Sequence, residues 1–518
     1  MGISLNSSTG RWLMVAAVLA SSMAFIDATA LNVALPALQK ALNAGGAELF
    51  WVLNAYLLIM AALILIGGVL GDRLGRKRVY MIGISVFVIG SFACGCSGSA
   101  TMLIVCRIVQ GAGGALMIPG SLSLISASFN ESERGKAIGT WGSFTTMVTV
   151  GGPIVGGALA DAGLWRDLFF MNIPLGLGSL LILWFKVPES RGEGSGKPLD
   201  LWGALTVARG LALVTFGCLR FPAAGWRDWL VLAALGGGVV LLGVFLVIER
   251  RSANPMLPLS LFRNPVFSGV NALTFFLYGG LGIAMLFLPL DMVQVQGYSQ
   301  MEAGLSFLPF TLLMIALSRP AGALADRYGP RVLLIAGPAA VGVGMLMLSF
   351  VGRVEGMSGF WVSYFPGILV FGLGMAFTVV PLTAAVMGAV GQEFSGMASG
   401  VNNALSRVAG VFANAVLGAL AVVVFTAAVA KRVDGLGLDG RDRQLVMAET
   451  SKLGDAKVPE EVKKASWDIS EGVEAAYKEG FVRAYAVILR IAAGLAFAGA
   501  GCAVIFVKAG KVVKGDVD

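Results

Sequence analysis

Asp27 stands in the stretch FIDATALNVALP, positions 25–36, a carboxylate inside an otherwise apolar run. An ionised acid in hydrocarbon is costly unless it faces a cavity or a partner, which makes it a functional candidate by default. The alternative is a polar residue at a helix end. Arg107 stands in a second such stretch, LIVCRIVQGAGGAL at 103–116, and its guanidinium stays charged at any working pH. The chain has no histidine, so the usual near-neutral titrating group is absent. Proton exchange would fall to carboxylates, which hold a proton more tightly when buried and less tightly beside a cation. Asp27 is the one clear carboxylate well inside an apolar run, and Arg107 is either its counter-ion or a polar anchor that tunes it.

The two residues can act together only if the elements carrying them meet at one depth. Of 518 residues, 57% are hydrophobic and 13% charged, with a mean hydropathy of +0.82. A soluble domain runs nearer a quarter charged, because its whole surface must be wetted. Windows of about 20 apolar residues recur, each long enough to cross roughly 30 Å of hydrocarbon as a helix. Lipid cannot satisfy backbone polar groups, so such windows must be helices. The 71 glycines suit close helix approach in lipid. About fourteen spans are expected, near 11–33, 49–71, 79–98, 101–123, 136–160, 167–187, 200–219, 228–249, 266–290, 303–324, 331–351, 359–383, 402–428 and 484–507. Asp27 then lies roughly 24 Å up the first span, and Arg107 roughly 9 Å down the fourth from its outer end. Both fall in the outer half of the bilayer.

The charges orient the chain. With the N-terminus cytoplasmic, the inner loops collect Arg73, Arg76, Lys77, Arg78, Arg134, Lys136, Arg250, Arg251, Arg327 and Arg331, while the short outer loops hold few basic residues. An even number of spans places both termini inside. The net charge of +8 is better explained by this bias than by nucleic-acid binding, which is not expected. The first apolar run lacks a small-residue cleavage pattern and reads as a retained span. The long polar segment 431–483 falls outside, as a solvated connector with a short amphipathic helix around 458–480. The five cysteines all sit in apolar runs, which argues against a disulfide framework or a zinc site.

Two loops share one phrase. GGVLGDRLGRKRV at 67–79 joins spans 2 and 3, and AGALADRYGPRV at 321–332 joins spans 10 and 11, an offset of eight spans. Two six-helix halves would give an offset of six, so two extra helices fit between them. The expected division is an N-terminal six-helix bundle at 1–190 and inserted linker helices at 191–255. A C-terminal six-helix bundle follows at 256–430 and 484–518, interrupted by the outer loop 431–483. The glycine permits a tight turn, and the basic residues can pair with the aspartate or cap helix C-terminal carbonyls. A plain positive-inside anchor would explain the basic residues but not the repeated Asp-x-x-Gly.

These features together resemble the major facilitator superfamily, and within it the fourteen-span drug:proton antiporter family. The first loop matches the family's gating motif through Gly68, Asp72, Arg73, Gly75, Arg76 and Lys77, and the second echoes it through Asp326, Arg327, Gly329 and Arg331. The first span carries a family signature with Asp27, Asn32 and Pro36, and the fourth another with Arg107, Gln110 and Gly111. AIGTWGSFTTMVTVGGPIVGGALA at 137–160 resembles the antiporter motif through Gly142, Gly152, Pro153, Gly156 and Gly157, and WRDLFFMNIPLG at 165–176 brings Trp165, Arg166, Asn172 and Pro174.

The resemblance implies an all-α polytopic membrane protein with the major facilitator fold: two six-helix bundles plus two extra helices, about fourteen in all. It also implies a proton-coupled exporter of small amphipathic organic compounds in the plasma membrane, the inner membrane of a bacterium, working by alternating access. Protons, substrate and the lipid bilayer are then its partners, and a monomer is expected. In the family the loops close the cytoplasmic side and the antiporter motif accompanies efflux. Asn54, Tyr56, Met23, Phe144, Met147, Phe276 and Met314 are candidate cavity residues, chosen as polar, aromatic or adaptable side chains whose alternative is ordinary packing. No G-x-x-x-x-G-K-[ST] stretch occurs, and no histidine is available for zinc or haem, so neither enzymatic activity nor a cofactor is expected. The rival readings are a specific metabolite exporter or importer of the same fold and, more remotely, a receptor or scaffold using the 431–483 loop.

Overall fold

A computed structural model describes residues 3–190, 200–225, 227–252, 255, 259–354, 359–390, 395–465 and 467–507. Among these residues the regular structure is helical. In chain order the helices are α1 (Ser8–Leu42), α2 (Gly46–Leu74), α3 (Arg76–Gly95), α4 (Ala100–Ser128), α5 (Glu131–Asp161), α6 (Asp167–Phe170) and α7 (Asn172–Lys186). They continue with α8 (Leu201–Ala224), α9 (Trp229–Arg251), α10 (Pro265–Gln294), α11 (Gln300–Leu305), α12 (Leu308–Tyr328), α13 (Arg331–Ser349), α14 (Phe360–Gly388), α15 (Ser395–Val433), α16 (Gly440–Glu449), α17 (Glu460–Ala465) and α18 (Trp467–Phe506). Eleven stretches among the described residues are long and apolar enough to cross a membrane. Each of the fourteen expected windows carries a helix, the sixth and tenth being broken near their starts at Met171 and Ser306–Phe307.

Polar residues begin several of these helices by satisfying free N–H groups. Ser99 accepts from Met102 N, Asn264 accepts from Val266 N ahead of the helix opened by Pro265, and Ser299 and Glu302 form a reciprocal capping box.

The chain divides into two compact units. The first comprises Met1–Leu38, Trp51–Phe216 and Leu232–Leu259; the second comprises Gln39–Phe50, Gly217–Val231 and Ser260–Asp518. Within the first, α3 packs most extensively on α4, and within the second α13 packs on α14 in the same way. The reason is repeated. A Cβ on Gly83 would meet Met117 N at 2.8 Å and one on Gly90 would meet Gln110 N at 2.7 Å; one on Gly344 would meet Phe371 N at 2.5 Å. Backbones this close leave no room for side chains, which is how helices associate without a hydrophobic drive. The helices that follow the two shared loop phrases are therefore built alike.

The 431–483 segment, expected as a solvated connector with a short amphipathic helix around 458–480, carries helix there and further helix on either side. α15 runs on to Val433, α16 and α17 fold beyond it, and α18 starts at Trp467 and continues unbroken through the last expected span. Val446, Leu453, Val462 and Val473 are buried, and Tyr477 donates to the Val446 carbonyl at 2.8 Å. These apolar side chains, spaced among charged ones, give the segment a small core, and it packs on α15 and α18 within the second unit.

Candidate functional site

The apolar run of α1 leaves Asp27 4% exposed, and that of α4 leaves Arg107 1% exposed. They meet directly: Arg107 Nη1 donates to Asp27 Oδ2 at 2.5 Å. Gln110, one helical turn along α4, donates from Nε2 to Asp27 Oδ1 at 2.9 Å and accepts from Arg107 Nη1 at 2.8 Å. Arg107 Nε donates to the Val52 carbonyl of α2 at 3.2 Å, and its guanidinium lies 4.2 Å from the centre of the Tyr56 ring. Every oxygen of the acid is thus satisfied, and the cation is held on four sides by α1, α2 and α4. A buried ion pair is tolerable only with such supporting hydrogen bonds. Sequence reading missed Cys94 of α3, whose thiol donates to Gln110 Oε1 at 3.6 Å; inside an apolar run it reads as one more small hydrophobe.

The antiporter-motif helix touches α1 beside the acid. A Cβ on Gly152 would meet Thr29 Oγ1 at 2.0 Å, and one on Gly156 would meet the Ala30 carbonyl oxygen at 2.4 Å. Pro153 lies within α5, where it removes a backbone bond, and Gly157 is buried. The Gly142 and Met147 side positions lie outside the described residues. Asn32 donates to the Ala28 carbonyl one turn back, Pro36 sits inside α1, and a Cβ on Gly111 would meet the Tyr56 carbonyl oxygen at 2.6 Å.

The first loop is built around a residue that the sequence motif does not contain. Gly75 has φ 108°, a conformation that L side chains rarely adopt. Glu189, just after α7, accepts from the backbone N–H groups of Lys77 at 2.9 Å and Arg78 at 3.1 Å, placing a carboxylate on the N-terminus of α3. Lys77 Nζ in turn donates to the carbonyls of Trp184 at 3.4 Å and Val187 at 2.7 Å, at the C-terminal end of α7, and Arg76 N donates to Ser190 O at 2.8 Å. In the second loop Gly329 has φ 82°, Arg331 donates to the Val504 carbonyl near the end of α18 at 3.1 Å, and Arg327 is exposed over the Tyr328 ring. The first loop therefore ties the start of α3 to the end of α7, and the second ties the start of α13 to the end of α18. The side chains of Asp72, Arg73 and Asp326 and the side position of Gly68 lie outside the described residues.

Trp165 is buried with Arg166 over its ring at 4.3 Å, and Arg166 donates to Ser97 O at 3.0 Å. Asn172 donates to Ser91 Oγ at 2.9 Å, while Pro174 is exposed. Among the candidate cavity residues, Tyr56 belongs to the ion-pair site. Asn54 is fully buried, and neither of its amide atoms has a hydrogen-bond partner among the described residues. Met23 lies in the buried cluster with Tyr80 and Phe87; Phe144 is exposed, and Phe276 and Met314 are half-buried.

Asp27 is not the only carboxylate inside a spanning helix. α10 continues through Asp291 to Gln294, and Asp291 is 0% exposed. Its own charge ended the apolar window at 290, so it reads as the start of a loop. Structure places it one turn inside.

The profile of the Major Facilitator Superfamily matches residues 17–414. The multidrug resistance protein Stp of Mycobacterium tuberculosis (strain ATCC 25618 / H37Rv) is 35% identical over 412 residues, covering 79% of this chain and 75% of its own. The tetracenomycin C resistance and export protein of Streptomyces glaucescens is 32% identical over 410 residues, again 79% of this chain and 75% of its own. The crystal structure of a bacterial homologue of the human lysosomal transporter Spinster shares the fold, with a TM-score of 0.61 at 18% identity over 96% of this chain and 98% of that one. With its apolar spans, its two similarly built loops and relatives of this similarity, the chain belongs to the Major Facilitator Superfamily and is a multi-pass membrane transporter rather than an enzyme.

Proposed function

We propose that the chain is a proton-coupled antiporter that exports small amphipathic organic compounds, cationic or neutral, by alternating access. It works in the plasma membrane, the inner membrane if the cell is bacterial, with both termini cytoplasmic. One observation carries the reading: the buried Asp27–Arg107–Gln110 site lies where the glycine face of α5 presses on α1. A proton taken by Asp27 removes the charge that Arg107 answers. The guanidinium then rests on Gln110 Oε1, the Val52 carbonyl and the Tyr56 ring, all already in contact with it. α1 loses its strongest tie to α4 and can shift along the smooth face of α5. Release of that proton restores the pair and resets the helix. The relatives named for drug resistance and export support the outward direction and the substrate class. The loop ties through Lys77, Glu189 and Arg331 gate the cytoplasmic side.

The test is dye efflux from a pump-deficient host with and without a protonophore. Wild-type chain is expected to lower cell-associated dye until the protonophore is added. Asp27→Asn, assayed at matched membrane abundance, is expected to lose the protonophore-sensitive part. Intact proton-linked efflux in that variant would overturn the coupling role.

A further inference from the structure

Asp291 is buried as deeply as Asp27 but is partnered very differently. Its Oδ2 accepts from the Tyr364 hydroxyl of α14 and from Gln296 Nε2 at 3.3 Å; its Oδ1 is buried with no hydrogen-bond partner among the described residues. Among the described residues no lysine or arginine lies within ion-pairing distance of it. The titratable groups around it are Tyr364 from α14, Tyr485 from α18 and Tyr298 from the segment after α10; Glu302 of α11 acts on Tyr298, and Arg353 is exposed. The Tyr485 hydroxyl is also buried and without a hydrogen-bond partner among the described residues.

We propose that Asp291 is a second proton-binding site of this transporter and carries its proton in this conformation. An ionised carboxylate buried without a cation costs several kcal/mol, whereas the neutral acid does not. Two donors on Oδ2 are compatible with either form. Among the described residues Oδ1 receives no donor that would hold a negative charge, and the Tyr485 hydroxyl of the same cluster supplies none. The cluster also reaches the surface. Gln296 donates to the Gly352 carbonyl at 2.9 Å and accepts from Val354 N at 2.7 Å, and Gly352 and Arg353 are exposed. The acid is therefore one side chain away from water at the segment after α13, which the charge distribution assigns to the outer face. A proton lodged there can enter from that side. The step is a simple transfer: hydronium at the 350–354 segment gives up a proton and becomes water, and the Asp291 carboxylate becomes the neutral acid.

Its place in the transport cycle rests on the antiport reading above; its protonation does not. The first measurement is therefore infrared absorption of the full chain in lipid nanodiscs at neutral pH, in the carbonyl region of protonated carboxylic acids. A band present in wild type, absent in Asp291→Asn and retained in Asp27→Asn is expected. No such band in wild type, or its survival in Asp291→Asn, overturns the proposal. Tyr364→Phe removes a donor that favours the ionised form, so its band is expected to persist to higher pH than wild type; disappearance at lower pH also overturns it. The second measurement counts protons entering proteoliposomes per dye molecule exported. Asp291→Asn is expected to lower that ratio while efflux continues, and an unchanged ratio rejects a role in coupling. If Asp27→Asn keeps proton-linked efflux, the antiport assignment of Asp27 fails and the infrared result for Asp291 still stands.

Discussion

Arg107→Met is the perturbation that asks most of the site. Methionine fills much of the space of the arginine stem but removes every polar contact. Asp27 Oδ2, Gln110 Oε1 and the Val52 carbonyl each lose a donor, at 2.5, 2.8 and 3.2 Å, and the ring of Tyr56 loses its cation. Removing one partner of a buried ion pair costs about 3–5 kcal/mol, because the other charge is left uncompensated. Asp27→Asn strands Arg107 in the same way and is expected to cost a similar amount. Replacing both members at once leaves no buried charge, and such replacements are often close to neutral. The double variant should therefore be less destabilised than the sum of the singles by roughly 6–10 kcal/mol, several tenfold steps in the folding equilibrium. Reversible denaturation of the purified chain in detergent, run as a four-protein cycle, measures this. Transport should behave oppositely: the double variant regains stability but not proton-linked efflux. Losses that add to within about 0.5 kcal/mol would refute direct coupling between the two residues. Recovered proton-linked efflux in the double variant would refute the functional role assigned to the pair.

The other expected outcomes use the same purified chain or the same dye assay. Gly156→Ala places a methyl 2.4 Å from the Ala30 carbonyl oxygen, so α1 and α5 must separate; overpacking of this kind costs about 1–3 kcal/mol, and the efflux rate should fall more than dye affinity, as initial rates across dye concentrations will tell. Glu189→Gln keeps the side chain's size but weakens the charge at the start of α3; a loss of about 1 kcal/mol is expected, with slower turnover, and unchanged rates would separate this cap from gating. Asp455, half-buried between α16 and α17, is pushed above the usual carboxylate range first by burial, against the opposing pull of Lys457, Lys452 and Lys40. The folded chain thus binds that proton more tightly than the unfolded one: its contribution is fully present below about pH 4 and lost as pH rises through the folded value. Asp455→Asn should accordingly resist proteolysis of the 434–466 segment better than wild type at neutral pH, with the difference closing as pH falls.

How much of this could be read beforehand follows from what each residue needed. The helices were legible because lipid leaves an apolar window no other structure, and a window needs no partner to be recognised. The pairing of Asp27 with Arg107 was legible because two charges in apolar helices at similar depth have few other places to go. Gln110 was visible as part of a signature, but its bridging of both members depends on the rotation of α4, which an apolar sequence with polar residues on one turn does not define. Glu189 was invisible for a different reason: a carboxylate just after a span looks like any solvated loop acid, and only the fold carries it back more than 100 residues to the start of α3. Asp291 was hidden by the rule that found the spans, since a window closed by its first charge will always assign that charge to a loop. Yet that is where the cost of burying it is greatest. Acids that end an apolar window and are then followed by another helical turn are consequently the positions where such a reading should look again for proton sites.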